Sequence, residues 1–494
     1  MAYAFTFDAS ACTGCKACQI ACKDKNNLPV GVLWRRVYEV SGGSWKNVGA
    51  DGVRPGVWET DVFAYNLSIA CNHCVHPKCA GVCPTDAFVQ REDGIVYIDE
   101  SKCMGCGYCA WACPYSVPQY NPECGHMTKC NFCMDDIDAG LPPACVAACP
   151  LRVLDFTVIS DQCSVFSENY QQLWELPAPN HPFPLPEFSR TQPHLAIKPH
   201  PAMGNGLEKK IANQEEVQPL RSQSARRKSI KALASFAVCF DELPLVAFTL
   251  LGQMAAGMTV FSFFFPPSSL HLLAIGFLLG LGGLASFLHL GTKKNAWRAV
   301  IHLKKSWLSR EVLAFGLFGA AWLAWMLERC SPNTEAWTLP NTENWILNTD
   351  YWSLPTALLG LALVFSMARV YHLHAISGWN TWRTEAAFFL SAGTLGALGT
   401  ALLAGKPPIM VAALPFLAGE AALILSVREK AHETAGRPRL GLIAGCIVGG
   451  WVAAQGPGSA GVWITLPIFL LALLEEILGR LAFYALRNDK QKLP

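Results

Sequence analysis

Charge is what this sequence has least of. Asp, Glu, Lys and Arg together make up 15% of its 494 residues, and the signs nearly cancel at a formal +2. An average soluble domain carries about 25%. The near-neutral balance argues against a nucleic-acid binder, which presents a strongly basic domain. With 52% hydrophobic residues the chain is not disordered, and a wholly soluble protein is not expected either. An export signal is also missing from the front. MAYAFTFDAS has no charged stretch leading into an apolar run, and no twin arginine. The front half is therefore expected to be made and folded in the cytosol, where disulfides are rare.

Cysteine is abundant and clustered. Of 21 cysteines, 17 lie between Cys12 and Cys149. Sixteen of these form four motifs: Cys12, Cys15, Cys18, Cys22; Cys71, Cys74, Cys79, Cys83; Cys103, Cys106, Cys109, Cys113; and Cys130, Cys133, Cys145, Cys149. The first and third have the C-x2-C-x2-C-x3-C spacing of bacterial ferredoxins. The last three motifs end in Pro84, Pro114 and Pro150. Two-residue gaps let three thiolates wrap one iron–sulfide cube. The fourth cysteine is expected to open a short helix and to ligate the neighbouring cube. Zinc knuckles lack the third cysteine and the Cys-Pro ending. Four complete motifs predict four 4Fe–4S clusters in an α+β, bacterial-ferredoxin-like N-terminal half.

Ferredoxin topology pairs the second motif with the third and the first with the fourth. Cys113 then joins Cys71, Cys74 and Cys79, and Cys83 joins Cys103, Cys106 and Cys109. Cys149 joins Cys12, Cys15 and Cys18, and Cys22 joins Cys130, Cys133 and Cys145. AFVQREDGIVYID reads as a hairpin turning at Asp93–Gly94. Cys124, Cys163, Cys239, Cys330 and Cys446 are left as free thiols. With every motif saturated, no iron has an obvious open site. The clusters imply a wire with a donor at one end and an acceptor at the other.

A ferredoxin domain is expected over 1–160. A proline-rich strap and basic linker follow over 161–240, and a membrane anchor over 241–494. Eight prolines between Pro177 and Pro201 predict an extended strap over the surface of the ferredoxin unit. The anchor is expected to be all-α and polytopic. Apolar runs at 243–265, 270–291, 311–328, 354–373, 385–405, 408–427, 440–455 and 461–484 predict eight transmembrane helices. Trp297, Trp307, Trp352, Trp379 and Trp382 suit interfacial belts. Basic residues gather before the first run (Arg226, Arg227, Lys228, Lys231) and between the second and third (Lys293, Lys294, Arg298, Lys304, Lys305). They gather again between the sixth and seventh (Arg428, Lys430, Arg437, Arg439). By the positive-inside rule the ferredoxin side is cytoplasmic, on a bacterial inner membrane. Docking of the ferredoxin head would explain the same bias, and a periplasmic head is the alternative.

Ionisable groups inside spans are functional candidates. They are His289, Glu311, Glu420, Glu475, Glu476 and Arg480. Oxidising a quinol releases two protons with its electrons and needs a proton acceptor beside a cluster. His289 and Glu311 could provide one. The bland alternatives are an interfacial histidine and a carboxylate complementing a helix N-terminus. Haem is not expected, because His271, His289, His372 and His374 all sit near span ends.

The stretches CTGCKACQIACKD, LSIACNHC, REDGIVYID, CPYSVPQYN, GHMTKCNFC and CPLRVLDF closely resemble the iron–sulfur subunit of the bacterial dimethyl sulfoxide reductase family. The resemblance covers about residues 3–218 and includes HLAIKPH. PLVAFTLLGQMAAG, LHLGTKKNAW, ARVY and EEILGRLAFYAL resemble the family's membrane anchor over about 240–486, so two usually separate polypeptides are fused here. The resemblance implies a molybdopterin catalytic subunit on another chain, membrane quinol as electron donor, and no haem. It places the family's quinol-site histidine and glutamate on His289 and Glu311. Related reductases have tryptophan in the third motif and bind a 3Fe–4S cluster there. Cys106 at that place implies that all four are 4Fe–4S. The alternatives are the same wire in a quinone-reducing sulfur-compound dehydrogenase or other oxyanion reductase, and an electron-driven ion pump. A pump would want acids and lysines across the whole membrane.

Overall fold

A computed structural model describes residues 2–42, 45–47, 58–60, 63–159, 190–201, 242–265, 267–330, 351–376, 378–404, 407–426, 430–455 and 461–491. The chain divides into two compact units, Met1–Arg227 with Lys490–Pro494, and Lys228–Asp489. Most of the strap, the basic linker, Cys163 and Cys239 lie outside the described residues.

The first unit runs β1 (Ala2–Asp8), α1 (Ala17–Lys25), β2 (Arg36–Gly42), β3 (Trp45–Asn47), β4 (Trp58–Thr60), β5 (Phe63–Ile69), α2 (Lys78–Gly81), β6 (Phe88–Gln90), β7 (Val96–Ile98), α3 (Tyr108–Ala112), β8 (Gln119–Asn121), β9 (His126–Thr128), α4 (Met134–Asp138), α5 (Ala144–Ala147), β10 (Leu154–Ile159) and β11 (Leu195–Lys198). β1 is the centre of a three-stranded sheet. It runs antiparallel to β10, with Phe5 opposite Phe156, and parallel to β11, with Phe5 beside Leu195. A central strand covered on both faces buries consecutive residues, and Ala4, Phe5, Thr6 and Phe7 are all buried. Phe5 stacks on Phe132 at 4.2 Å between ring centroids. β6 and β7 form the expected hairpin. Gly94 turns it with φ +78°, and a Cβ there would come within 2.9 Å of Ala2.

Two expectations change. The end of the strap does not lie over the surface without a ladder, because β11 completes the central sheet. LAIK holds no proline between Pro193 and Pro199, and its Leu195, Ala196 and Ile197 have apolar side chains to bury. The helix of each cysteine motif also begins earlier than expected. Cys18, Cys79, Cys109 and Cys145 are each the second residue of α1, α2, α3 and α5. The fourth cysteine follows one turn later instead of opening the helix.

The second unit is helical: α6 (Leu243–Phe264), α7 (Ser269–Leu288), a 3₁₀ turn (Lys293–Val300), α8 (Trp307–Cys330), α9 (Ser353–Val370), α10 (Trp382–Ala404), a 3₁₀ turn (Pro407–Ala413), α11 (Leu414–Leu425), α12 (Lys430–Gln455) and α13 (Gly461–Gln491). α6 to α10 are long and apolar enough to cross a membrane. Their outward faces are apolar too, with Phe277 and Leu327 well exposed, as lipid contact requires. The sixth apolar run is a broken helix. The 12 residues of α11 reach about 18 Å at 1.5 Å each, and the preceding 7-residue 3₁₀ turn adds about 14 Å. Pro438 and Pro467 lie inside α12 and α13. Trp379 is no belt residue. It is fully buried, stacks on Phe483 at 4.9 Å and donates its indole N–H to the Phe483 carbonyl.

α6 and α10 touch backbone to backbone. A Cβ on Gly257 would lie 1.9 Å from the Ala392 carbonyl oxygen, and one on Gly396 would lie 2.4 Å from the Gly257 backbone. Gly257→Val is therefore expected to cost at least about 1–3 kcal/mol through overpacking. Gly280→Ala, facing open space, should be harmless. Thermal unfolding of the detergent-solubilised protein checks both.

Candidate functional site

In each cysteine motif the residue just before the second cysteine is left-handed. These are Gly14 (φ +68°), His73 (+43°), Gly105 (+73°) and Phe132 (+63°). The conformation is easy for glycine and strained for histidine and phenylalanine. It turns backbone N–H groups inward, as in other anion-binding loops. The Phe132 N–H lies 3.4 Å from the Cys130 sulfur, and Gly14 and Gly105 donate likewise to Cys12 and Cys103.

The motifs converge in pairs. Cys71, Cys74, Cys79 and Cys113 line one cavity together with Lys129 and Tyr115. Cys12, Cys15, Cys18 and Cys149 line another. Cys83 is within electrostatic reach of Cys103, Cys106 and Cys109, and Cys22 is within reach of Cys133 and Cys145, with Cys130 feeling all three. Neighbouring groups are linked in the same way. Cys18 feels Cys145, Cys130 feels Cys71, and Cys109 feels Cys79. The four groups therefore form a row, from the Cys12 group through the Cys130 and Cys71 groups to the Cys103 group.

No disulfide joins the described cysteines, Cys124, Cys330 and Cys446 included. Burial first, and neighbouring sulfurs second, push Cys109 and Cys130 well above the ordinary thiol range, and Cys22 up to about 12. Such thiols give up their protons only to a metal that takes their place. Arg35 Nε and Nη2 are buried and have no acceptor among the described residues. Four converging thiols with inward N–H donors fit an iron–sulfur cube.

In the helical unit His289 caps the C-terminus of α7 and is half-buried. Glu311, in the second turn of α8, is buried. Tyr371 and Tyr484 lie within electrostatic reach of Glu311, and their hydroxyls are 2.5 Å apart. No sequence signal marks these tyrosines as a pair, since 113 residues separate them. Glu420, Glu475 and Glu476 come together, with oxygens within 4.8 Å of one another. Thr394 donates to Glu420, Ser391 to Glu476 and Arg439 Nε to Glu475. Arg439 thus belongs to a helix and an ion pair, which removes it from the loop charges. Arg480 donates to Gln253 at 2.8 Å and lies over the Phe388 ring.

Comparison with known proteins accounts for both units. A 4Fe–4S dicluster domain matches residues 62–159, and the DMSO reductase anchor subunit matches residues 237–431. Over 198 residues the sequence is 48% identical to an anaerobic dimethyl sulfoxide reductase chain of Escherichia coli (strain K12), a match covering 40% of this chain and 89% of that one. This protein belongs to the dimethyl sulfoxide reductase family. Within it, the front half is an electron-transfer module and the back half a membrane anchor, fused in one polypeptide. The thiosulfate reductase electron transfer subunit PhsB of Salmonella typhi is 38% identical over 157 residues, 31% of this chain and 74% of that one. A tetrathionate reductase subunit of Salmonella typhimurium (strain LT2) is 41% identical over 150 residues, 30% of this chain and 54% of that one.

Proposed function

We propose that this chain carries electrons from membrane quinol to a molybdopterin catalytic subunit on a separate chain, which reduces dimethyl sulfoxide or a related sulfur compound. The row of four cysteine groups in one unit carries this reading. Sixteen cysteines hold four 4Fe–4S clusters, each three-cysteine loop sharing its cube with the fourth cysteine of its partner motif. When bound, such clusters pass single electrons, and burial shields them from water. The protein's part is to space them, supply N–H donors and close the cavities. The thiosulfate and tetrathionate relatives keep a sulfur oxyanion open as the terminal substrate. The experiment is a metal count. Purified protein should hold about sixteen irons if every group completes one cube. About eight irons, or stoichiometric zinc, would overturn the assignment.

The anchor provides the donor end. We assign the quinol site to His289 and Glu311, where buried Glu311 can take a proton as the electrons leave. Two tyrosine hydroxyls nearby can pass that proton on. Eight spans are proposed, five from α6 to α10 and three from the broken sixth helix, α12 and α13. An even number puts the ferredoxin unit and the C-terminus on one side. The remaining basic bias makes that side cytoplasmic. A reporter fused after Pro494, with the catalytic partner co-expressed, tests this. Fluorescent green fluorescent protein and inactive alkaline phosphatase are expected, and the reverse pattern would place the head outside.

A further inference from the structure

Two basic side chains are buried in the cluster row, and no role above uses their charge. Arg35 and Lys129 are 2% and 4% exposed. Among the described residues neither pairs with a carboxylate. Lys129 spends all three N–H donors locally, on the carbonyls of Val96 and Cys130 and on the Cys71 sulfur at 3.3 Å. Arg35 donates through Nη1 to the Ser68 carbonyl and hydroxyl at 3.3 and 3.1 Å, and lies 4.5 Å from the centre of the Phe5 ring. The Ser68 hydroxyl in turn sits 3.3 Å from the Cys18 sulfur. Arg35 Nε and Nη2 have no acceptor among the described residues.

A buried cation without a counter-ion costs several kcal/mol, on the order of what a whole domain has to spare. The sulfurs supply the counter-charge. Lys129 Nζ touches the Cys71 sulfur and the Cys130 carbonyl, while Arg35 reaches the Cys18 sulfur through the Ser68 hydroxyl and lies over Phe5, which stacks on Phe132 of the fourth motif. Each cation therefore stands at a junction in the row. Arg35 stands between the Cys12 and Cys130 groups, and Lys129 between the Cys130 and Cys71 groups.

Given clusters as assigned above, we propose that Arg35 and Lys129 are fixed positive charges that raise the reduction potentials of the clusters they separate, most of all the Cys130 cluster they share. Four thiolates outweigh the positive iron–sulfide core, so each occupied site is a net anion that gains a further negative charge on reduction. A cation beside it, screened from water, favours the reduced form. Arg35 adds unpaired N–H groups that sulfide can accept, and hydrogen bonds to sulfur act in the same direction. The Cys103 cluster lies one junction away and feels neither charge closely. Both are positioning residues, since they act on the electron through the cluster.

The test is a redox titration of the intact membrane protein, followed by the spectra of the reduced clusters. Lys129→Gln should shift the Cys130 and Cys71 clusters toward the oxidised form at least tenfold, 59 mV for a one-electron couple. Arg35→Gln should shift the Cys130 and Cys12 clusters. Neither should move the Cys103 cluster. Lys129→Arg and Arg35→Lys, which keep the charge, should titrate close to the unaltered protein. Neutral variants with full iron and unchanged potentials would overturn the proposal. Iron lost in the neutral variants and restored in the charge-keeping ones would also overturn it, by assigning the cations to assembly instead. Unaltered protein without iron–sulfur spectra would sink the cluster reading itself, which separates the two failures.

Discussion

Quinol-driven turnover is expected to fall about 10²–10⁴-fold in His289→Ala and in Glu311→Gln, the range for removing a general acid or base. Turnover driven by a reduced soluble dye should be unchanged, because the dye delivers electrons to the clusters directly. The contrast matters because either variant could also reduce the amount of assembled complex. Dye-driven activity counts the assembled wires and normalises the loss. Glu311→Gln preserves shape and hydrogen-bonding capacity but cannot take up a proton. Glu311 is buried at 4% exposure on α8, within electrostatic reach of Tyr371 and Tyr484. Among the described residues Glu311 has no ion-pair partner, and a buried carboxylate so placed is costly to keep for structure alone. Normal quinol activity in both variants would move the site elsewhere in the helical unit.

The convergence of the cysteine motifs is legible in the sequence because short, repeated gaps bring their thiols together directly. Three thiolates on one cube tolerate few gap lengths, and the Asp93–Gly94 hairpin carries a turn signal of its own. What is not legible depends on contacts between distant residues. His73 and Phe132 adopt the left-handed turn that Gly14 and Gly105 adopt easily, and nothing in a histidine or a phenylalanine announces it. Arg35 and Lys129 look like ordinary surface charges until the folded motifs close over them. Glu420, Glu475 and Glu476 each stand out as an ionisable group in an apolar run, but their meeting needs α11 and α13 side by side. Trp379 looks like a belt residue because it lies near a helix end, yet Phe483, 104 residues later, covers it. The strap is rich in proline, while the four residues of β11 between two prolines give no signal of their own, because a parallel partner can lie anywhere in the sequence.

Cys113→Ser and Cys71→Ser should remove the same cluster, although the two cysteines are 42 positions apart and belong to different motifs. Both line one cavity with Cys74 and Cys79. Cys83→Ser should instead match Cys103→Ser, since Cys83 faces the third motif rather than its own. The physical reason is the short helix after each loop. The third and fourth cysteines lie one turn apart, so that turn delivers one sulfur to each of two adjacent sites. Each of these variants should hold about twelve irons if a cube is lost whole, or about fifteen if one iron leaves and three remain. Spectra of the reduced protein identify which signal has gone. The Cys71 site stands inside the row, between the Cys130 and Cys103 sites, so losing its cube interrupts every path from one end to the other. Quinol-driven turnover should then disappear in Cys113→Ser, whichever end faces the membrane. Pairing within each motif predicts the opposite match, with Cys83→Ser deleting the cluster of Cys71. That outcome would break the row as described and, with it, the assignment of Lys129 to the junction between the Cys130 and Cys71 clusters.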